Sequence, residues 1–163
     1  ESTEAYKARS AELLGRAFPF DIRFHAQTVN GVNFVTLDSV FGYVCPNQTE
    51  RFRAEVGKGL PIILCTHVPF YTDGIWRASQ KFWSRAGKKF ESAAIPDARD
   101  EYKMQQTDPT TRDFIAYLKT EPLLKGILAG HLHITVRERF SPTAVQYVVG
   151  GNFLFHGQEV TFA

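Results

Sequence analysis

The sequence has little of what marks the specialised classes of protein. Its two cysteines, Cys45 and Cys65, form neither a disulfide framework nor the spacing of a thiolate metal site, and they leave the cellular compartment open. The 19 basic and 17 acidic residues nearly cancel to a formal charge of +2, so no strong field of one sign indicates a nucleic acid as a partner. No stretch approaches the roughly 20 apolar residues of a membrane helix, so we expect no membrane partner either.

What the sequence does contain is the composition of one globular domain. Its 163 residues are 44% hydrophobic and 22% charged, a balance typical of a compact core with a polar surface. No internal repeat, low-complexity tract or linker divides the chain. We therefore expect a single domain over residues 1–163.

The order of the predicted elements is that of an α/β fold. Residues 2–16 and 47–58 are rich in helix formers, and Asp108-Pro109 provides an N-cap with proline at the first position of a third helix. Asn30-Gly31 is a turn signal between two strand-like stretches, so a hairpin is expected there. LPIILCTH is typical of a strand buried on both faces, and GILA indicates a further apolar strand. The chain then finishes with three short predicted strands, TVRERF, AVQYVVG and QEVTFA.

The segment from Phe70 to Thr107 shows no clear period and is predicted to be a long loop, of a length that is usually functional or disordered. Aromatic and basic side chains are mixed along it, so one hypothesis is that it lines a pocket. In that pocket Arg77 or Lys81 would neutralise a phosphate, and Trp76 or Trp83 would stack on an organic leaving group. The alternative is a solvated connecting loop. Arg77 is the residue that we predict to bind substrate.

Two histidine motifs follow strands and carry the strongest chemical signal. Gly130-His131-Leu132-His133 comes directly after GILA, and in an extended segment the side chains at i and i+2 point the same way. Thr66-His67-Val68-Pro69 comes at the carboxyl end of the buried strand, where open α/β sheets tend to place their sites. Neutral imidazole is the commonest protein ligand of zinc, iron and related ions. The sequence therefore predicts His67, His131 and His133 as metal ligands.

Each motif has an ordinary alternative when it stands alone. H-x-H occurs by chance in many chains as surface histidines, and a single histidine such as His67 is a weaker signal still. The order of the motifs favours metal binding by both of them. That order is a strand, H-x-P, a long loop and helix, a strand, G-H-x-H and an antiparallel finish. Asp38, which ends a predicted strand, fits a turn residue better than a carboxylate ligand. His25 and His156 are interpreted as structural or surface histidines.

That order resembles the second half of the calcineurin-like metallophosphoesterase family, from about Gly31 to Ala163. NGVNFVTLDS is similar to the family's strand that ends in a Leu-Asp-Ser-type sequence, PIILCTHVPF to its H-x-P block and KGILAGHLHI to its terminal G-H-x-H block. The resemblance implies an α/β fold that is part of a four-layer α/β/β/α sandwich, with mixed sheets and an antiparallel C-terminal finish. It also implies that phosphate mono- or diesters are hydrolysed at two divalent transition-metal ions, which would be manganese, iron, zinc or cobalt. His67 and His131 would then hold one ion and His133 the other.

The resemblance does not extend to the family's earlier blocks. The family's remaining ligands and general acid come from an Asp-x-His, a bridging aspartate in Gly-Asp-x-x-Asp and an Asn-His pair, which have no counterpart in this sequence. We therefore expect the C-terminal portion of a phosphoesterase domain, with weak metal affinity or none and little activity of its own. Strands that this leaves at an edge predict a homodimer, a strand swap or a retained N-terminal fragment.

Two other functions fit the same residues. A non-catalytic interaction domain would have kept the phosphoesterase scaffold and lost its chemistry, and its natural coding sequence would lack the earlier blocks as well. A mononuclear zinc protein would need His67, His131 and His133 to converge on one ion. The division of these histidines between two ions in the resembled family argues against that second alternative.

Overall fold

The computed structural model describes residues 2–15, 17–86, 99–151 and 155–161 as an α/β fold with one six-stranded mixed sheet. Its helices are α1 (Thr3–Leu14), α2 (Pro46–Val56), α3 (Asp73–Ala86), α4 (Arg99–Thr107) and α5 (Pro109–Thr120), with a short 3-10 helix at Val40–Gly42. Its strands are β1 (Phe24–Val29), β2 (Val32–Leu37), β3 (Ile62–Thr66), β4 (Leu124–Ala129), β5 (Val136–Arg139) and β6 (Val145–Val148). No helix in these ranges is long and apolar enough to cross a membrane. The prediction of an α/β fold is confirmed.

The strands lie in the order β1-β2-β3-β4-β6-β5. The inner strands β2, β3, β4 and β6 run parallel to one another, and β1 and β5 form antiparallel pairs at the two edges. The expected antiparallel finish is only partly right, because β6 lies between β4 and β5 and pairs with β4 in parallel. The predicted strand QEVTFA is wrong for residues 158–161, which are irregular, and residues 162–163 lie outside the described part of the chain.

The β1–β2 hairpin and three helices occur where the sequence predicts them. Asn30 and Gly31 both have positive φ, 49° and 79°, as in the two-residue turn whose twist matches a hairpin. Asp108 caps α5, because its Oδ2 accepts a hydrogen bond from the Thr111 N–H at 2.8 Å. α1 and α2 differ from the predicted ranges by one or two residues at each end.

The segment from Phe70 to Thr107, predicted to be a loop, instead contains α3 and α4. Ile75, Ser79 and Trp83 recur every four residues in α3 and are all buried, which is a stripe of helical period. The basic side chains between them obscure this period in the sequence. Residues 87–98, which belong to the same predicted loop, lie outside the described ranges.

The first turn of α3 is held by a residue that is distant in the sequence. Glu138 of β5 accepts hydrogen bonds from the Thr72 hydroxyl and, at 3.2 Å, from the Gly74 N–H. Thr72 is also a local N-cap, because its Oγ1 accepts from the Ile75 N–H at 3.3 Å. The start of α3 is thus fixed by Thr72 together with a carboxylate from another strand, and only the first of these can be read locally.

The two faces of the sheet are covered unequally. One face packs against α2 and α5, in a core that includes Val35, Leu37, Ile62, Leu64, Phe52, Phe114 and Leu118. On the other face the row Thr36, Cys65, Leu128 and Tyr147 crosses four neighbouring strands, and none of these side chains is fully buried. Phe34 lies on the same face and is only partly buried as well. We call this second surface the open face of the sheet.

Candidate metal centre

The two histidine motifs meet at the carboxyl edge of the sheet. β3 and β4 are neighbouring parallel strands, so His67, directly after β3, and His131, shortly after β4, leave the sheet at the same edge. The Gly130 N–H donates to the His67 carbonyl at 3.1 Å, which holds the two chain segments together beyond the strands. The structure thus brings together two of the three histidines that the motifs singled out.

The rings of His67 and His131 contact each other edge to face. His67 Nε2 lies 3.2 Å from His131 Nδ1, and the ring centroids are 5.0 Å apart. Two nitrogen ligands that each lie about 2.0–2.1 Å from one ion are separated by roughly this distance. His67 is exposed and His131 is partly buried, so the pair is open to solvent on one side. Two ligands of a single transition-metal ion fit this geometry.

A carboxylate contacts the other nitrogen of His131. Glu101, in the first turn of α4, places Oε1 3.4 Å from His131 Nε2. His131 therefore lies between His67 at one ring nitrogen and Glu101 at the other. Sequence reasoning missed Glu101, because it belongs to the segment that was predicted to be a loop and no local pattern indicates that α4 docks against the G-H-x-H turn.

The G-H-x-H turn is not the extended segment that the sequence suggests. His131 and His133 have φ values of 64° and 55°, in the left-handed region that non-glycine residues rarely adopt. The Leu132 N–H donates to the Gly130 carbonyl at 2.7 Å, which closes a three-residue turn about His131, and the positive φ makes this the strained form of the γ-turn. Leu132 is fully buried, and Trp83 Nε1 donates to its carbonyl at 3.0 Å. These contacts hold the turn in a conformation that costs energy.

Burial and mutual repulsion favour the neutral form of the site histidines. Burial is the main cause that lowers the pKa of His131; Glu101 opposes this effect, and the charges of His67 and His133 add to it. Burial also lowers the pKa of His133, with a further contribution from His67. Since neutral imidazole is the form that binds metal ions, His131 and His133 are ready to act as ligands at neutral pH.

A cleft of about 490 Å³ opens beside His67, between α1 and the carboxyl ends of β2 and β3. Asp38 lies on its lining, but both of its carboxylate oxygens are engaged: Oδ1 accepts from the Val40 N–H at 2.9 Å, and Oδ2 lies 3.2 Å from Lys7 Nζ. Lys7 is buried and also donates to the carbonyls of Asp38 and Tyr43. Asp38 therefore has the turn role that the sequence favoured over a ligand role.

The aromatic and basic residues predicted to line a pocket are spread along α3. Trp83 is buried and bonded to Leu132, so it packs against the G-H-x-H turn rather than offering a surface for a leaving group. The Trp76 ring lies edge-on to Tyr102, with centroids 5.8 Å apart. Arg77 and Lys81 are exposed, and the role of Arg77 in substrate binding stays a prediction.

The two histidines interpreted as structural or surface residues have other neighbours. The His25 ring packs on Phe20 with centroids 4.8 Å apart, and His156 is exposed and lies against Gly150, just beyond β6. Among the described residues, no group of three His, Cys, Asp or Glu side chains is placed to hold a metal ion. The three motif histidines thus do not converge on one point, as a mononuclear zinc site would need.

No protein-family model and no curated protein matches the chain.

Proposed function

We propose that His67, His131 and His133 are histidine ligands of a two-metal phosphoesterase centre, and that the chain is the part of a phosphate mono- or diester hydrolase that carries them. The observation that supports this most is the 3.2 Å approach of His67 Nε2 to His131 Nδ1 at the carboxyl ends of neighbouring parallel strands. Two ligand nitrogens at this spacing agree with the arrangement that the resemblance to calcineurin-like metallophosphoesterases implies for one ion. In this proposal His133 serves the second ion.

The proposed cofactors are two divalent transition-metal ions, manganese, iron, zinc or cobalt, all of which accept imidazole ligands. When bound, such ions would supply a water of lowered pKa as the nucleophile and positive charge for the leaving oxygen. The part played by this chain is to present the imidazoles neutral and in fixed positions. Burial supports the neutral form of His131 and His133, and the Gly130–His67 backbone bond fixes the separation of the two strand ends.

The proposed substrate site is the end of the 490 Å³ cleft that adjoins His67 and Asp38; the other end, lined by Cys65 and Leu128, belongs to the open face of the sheet. A phosphate ester bound there would have its phosphorus close to the exposed side of the histidine pair. Arg77 does not line this cleft, and it stays the residue that the sequence pattern proposes for the phosphate, because an arginine can pair with two phosphate oxygens at once. Its exposed position on α3 leaves it accessible to a substrate in solution.

The open face of the sheet supports the finer fold proposal of a four-layer α/β/β/α sandwich. In a sandwich, a second sheet packs face to face at about 10 Å from the first. The row of exposed Thr36 and partly buried Cys65, Leu128 and Tyr147 is the surface that such a sheet would cover. We propose that residues 1–163 form the C-terminal portion of this domain, and that an N-terminal fragment or a second copy of the chain covers the open face.

A non-catalytic interaction domain is the second candidate, and one observation favours it. Glu101, His131 and His67 already contact one another in a chain, so the two imidazoles have partners without any ion. An interaction domain would keep this chain as a purely structural network. The two candidates differ in whether the protein binds a transition metal at all.

Calorimetric titration of the chelator-treated protein with Mn²⁺ and with Zn²⁺ tests the proposal. We expect weak binding that is abolished in His67→Asn and in His131→Asn, because each variant removes one of the paired nitrogens. His25→Asn is the matched control, since it removes an imidazole of β1 that packs on Phe20, and it should bind as the wild type does. Binding that is the same in all four proteins, or a folded wild type that binds neither ion, would contradict the proposal and favour the interaction domain.

The reaction itself is tested on the translation product of the natural coding sequence. With Mn²⁺ present, it should hydrolyse a generic aryl phosphate mono- or diester, and His131→Asn should reduce the rate by at least about 100-fold, as the loss of a group that acts on the transition state does. A rate unaffected by His131→Asn would show that the histidine pair has no part in hydrolysis.

A further inference from the structure

Glu101 reaches the candidate metal centre from an element that the sequence motifs do not include. Its Oε1 lies 3.4 Å from His131 Nε2, and its side chain is 22% exposed, so the contact is mostly shielded from water. His131 Nδ1 faces His67 Nε2 on the opposite side of the same ring. The two nitrogens of His131 therefore have different surroundings, a carboxylate at one and an imidazole at the other.

We infer that Glu101 is a positioning residue that keeps the proton of neutral His131 on Nε2. The lone pair of His131 Nδ1 is then directed towards His67 Nε2, where an ion shared by the two histidines would bind. The importance of this for catalysis rests on the proposed function, but the inference about the proton does not. A carboxylate that accepts from the outer nitrogen of a ligand histidine fixes both the tautomer and the ring orientation.

The opposite tautomer is electrostatically unfavourable. With the proton on Nδ1, the Nε2 lone pair of His131 would face the negative Glu101 carboxylate, and neither group could donate to the other. With the proton on Nε2, His131 donates to the carboxylate, and a hydrogen bond to a charged acceptor is the stronger kind. His67 then donates its own Nε2 proton to His131 Nδ1 in the metal-free protein. To become a ligand, His67 gives up that proton to water and takes one on Nδ1, whereas His131 needs no change.

The backbone of Glu101 is fixed by a close approach from the 3-10 helix. Gly42 has φ of 71°, and a Cβ atom built on it would overlap the backbone of Glu101. Only glycine permits this contact, because it has no side chain and tolerates a positive φ. The approach of Gly42 sets where the first turn of α4 lies and hence how far the Glu101 carboxylate reaches.

A buried side chain holds α4 on its next turn. Gln105, which is 2% exposed, accepts from the Tyr71 N–H at 2.8 Å and donates to the Pro69 carbonyl at 3.0 Å. These two bonds join α4 to the segment that follows His67. The chain thus fixes Glu101 from both sides, as a residue that orients a ligand requires.

The test is the protonation pattern of the imidazole nitrogens, read by long-range ¹H–¹⁵N correlation spectra of the chelator-treated protein at a pH where the histidines are neutral. The wild type should show the His131 proton on Nε2. Glu101→Ala should lose this preference, giving a mixture or a proton on Nδ1. Glu101→Gln should restore it only in part, because the amide oxygen can accept from Nε2–H but the amide NH2 can also donate to a bare Nε2. Asp100→Ala is the matched control, since it removes the neighbouring exposed carboxylate of α4 and should leave the spectrum of His131 unchanged.

A proton on Nδ1 of His131 in the wild type, or a His131 spectrum that Glu101→Ala does not change, would overturn the inference. Neither result depends on metal binding, so they are separate from a failure of the proposed function. If Glu101→Ala does not fold, Glu101→Asp provides the second variant. It keeps a carboxylate but draws it back from His131, and it should weaken the Nε2 preference in the same direction.

A second measurement tests whether the position of the His131 proton affects metal binding at the proposed centre. In a titration with Zn²⁺, Glu101→Ala should bind about 10–100-fold more weakly than the wild type, the usual effect of losing an outer partner of a ligand histidine. Asp100→Ala should bind as the wild type does. Equal affinity in Glu101→Ala and the wild type would contradict a positioning role, whereas a wild type that binds no metal would contradict the proposed function and leave the inference to be decided by the spectra.

Discussion

His131 and His133 are held with lowered pKa values, and this gives the folding stability a dependence on pH. Burial is the largest cause at both residues. In the unfolded chain a histidine takes up its proton near pH 6.5. The folded protein excludes the same proton until the pH is lower, so the unfolded state binds more protons in this range and stability falls as the pH falls. Above about pH 6.5, the histidine pKa in the unfolded chain, His131 and His133 make their full contribution to folding stability.

We therefore expect the free energy of unfolding to decrease as the pH is lowered from about 7 through 6, by at most about 1.4 kcal/mol per pH unit for each of the two histidines. Urea unfolding at a series of pH values, with a chelator present, measures this slope. The double variant His131→Gln/His133→Gln should flatten it, and His156→Gln, which removes an exposed imidazole, should not. An unchanged slope in the double variant would mean that other groups cause the acid sensitivity.

How far a residue's role could be read from the sequence depends on whether its partner is local. His67 and His131 do lie together, because each follows a strand and parallel neighbours bring their carboxyl ends to one edge. Their role as metal ligands stays a prediction. The backbone at His131 could not be predicted, since the γ-turn is stabilised by the burial of Leu132 and by Trp83 from another helix. Glu101 was missed for the same reason, as its role exists only after α4 has docked.

At the scale of elements, α1 is attached to the rest of the protein through a buried lysine. Lys7 is 4% exposed, and its Nζ donates to the Asp38 carbonyl at 2.9 Å and to the Tyr43 carbonyl at 2.7 Å. Burial lowers the pKa of Lys7, although the Asp38 carboxylate acts in the opposite direction. The three acceptors around Nζ offset the cost of bringing an ammonium group out of water.

Lys7→Met should therefore destabilise the protein by about 1–3 kcal/mol, because it leaves buried acceptors without their donor. Hydrogen exchange should also become faster along α1, since the helix loses its attachment. Lys58→Met is the matched control: its side chain is 50% exposed, and its ion pair with Glu55 lies at the surface, so the change should be below about 0.5 kcal/mol. Equal effects of the two substitutions would show that Lys7 does not hold α1.

The start of α3 depends on the fit between Gly74 and Glu138. A Cβ on Gly74 would overlap the Glu138 carboxylate, which caps the helix. Gly74→Ala should lower stability, and it should cost at least about 1 kcal/mol less in a Glu138→Ala background, since there is then no carboxylate to displace. Thermal unfolding of the four proteins in this double-mutant cycle measures the difference. If Gly74→Ala costs the same in both backgrounds, the overlap is not the cause.

Elements with local signals were predicted well, and those with distant ones were not. The Asn30-Gly31 turn and the Asp108 cap are encoded within a few residues, and both are present. α3 has only part of its cap locally, at Thr72, and the rest comes from Glu138 of β5. Its stripe of Ile75, Ser79 and Trp83 is interrupted by basic residues, so the sequence pattern indicates a loop. The place of β6 between β4 and β5 is set by the topology of the whole sheet, and no short sequence pattern indicates it.

At the scale of the whole molecule, the open face of the sheet is the feature most relevant to association. Phe34, Cys65, Leu128 and Tyr147 are only partly buried there, and apolar side chains left accessible on one face of a sheet favour association with another surface. The homodimer or N-terminal fragment expected from the sequence would cover it.

For the isolated chain we expect self-association that increases with protein concentration, measured by light scattering after size exclusion. Phe34→Lys should shift the mass towards that of one chain, because it places a charge on the open face. Thr28→Lys is the matched control, since Thr28 is already exposed on β1 and its side chain points to the other face of the sheet, so the same charge is added away from the open face. A wild type that is monomeric at all concentrations, or the same mass for both variants, would contradict a role of the open face in association.

The position of β6 between β4 and β5 also sets the order in which parts of the protein can fold during synthesis. Synthesis runs from the N-terminus, so β4 emerges before β5 and β6 and keeps one edge unpaired until both have followed. The β5–β6 hairpin contains only local contacts and can form quickly, but it must then dock on β4 in parallel. His131 lies just after β4, so the candidate centre is among the last parts to become rigid. A ribosome-bound chain that stops before Val145 should lack the ordered G-H-x-H turn, whatever has already folded upstream.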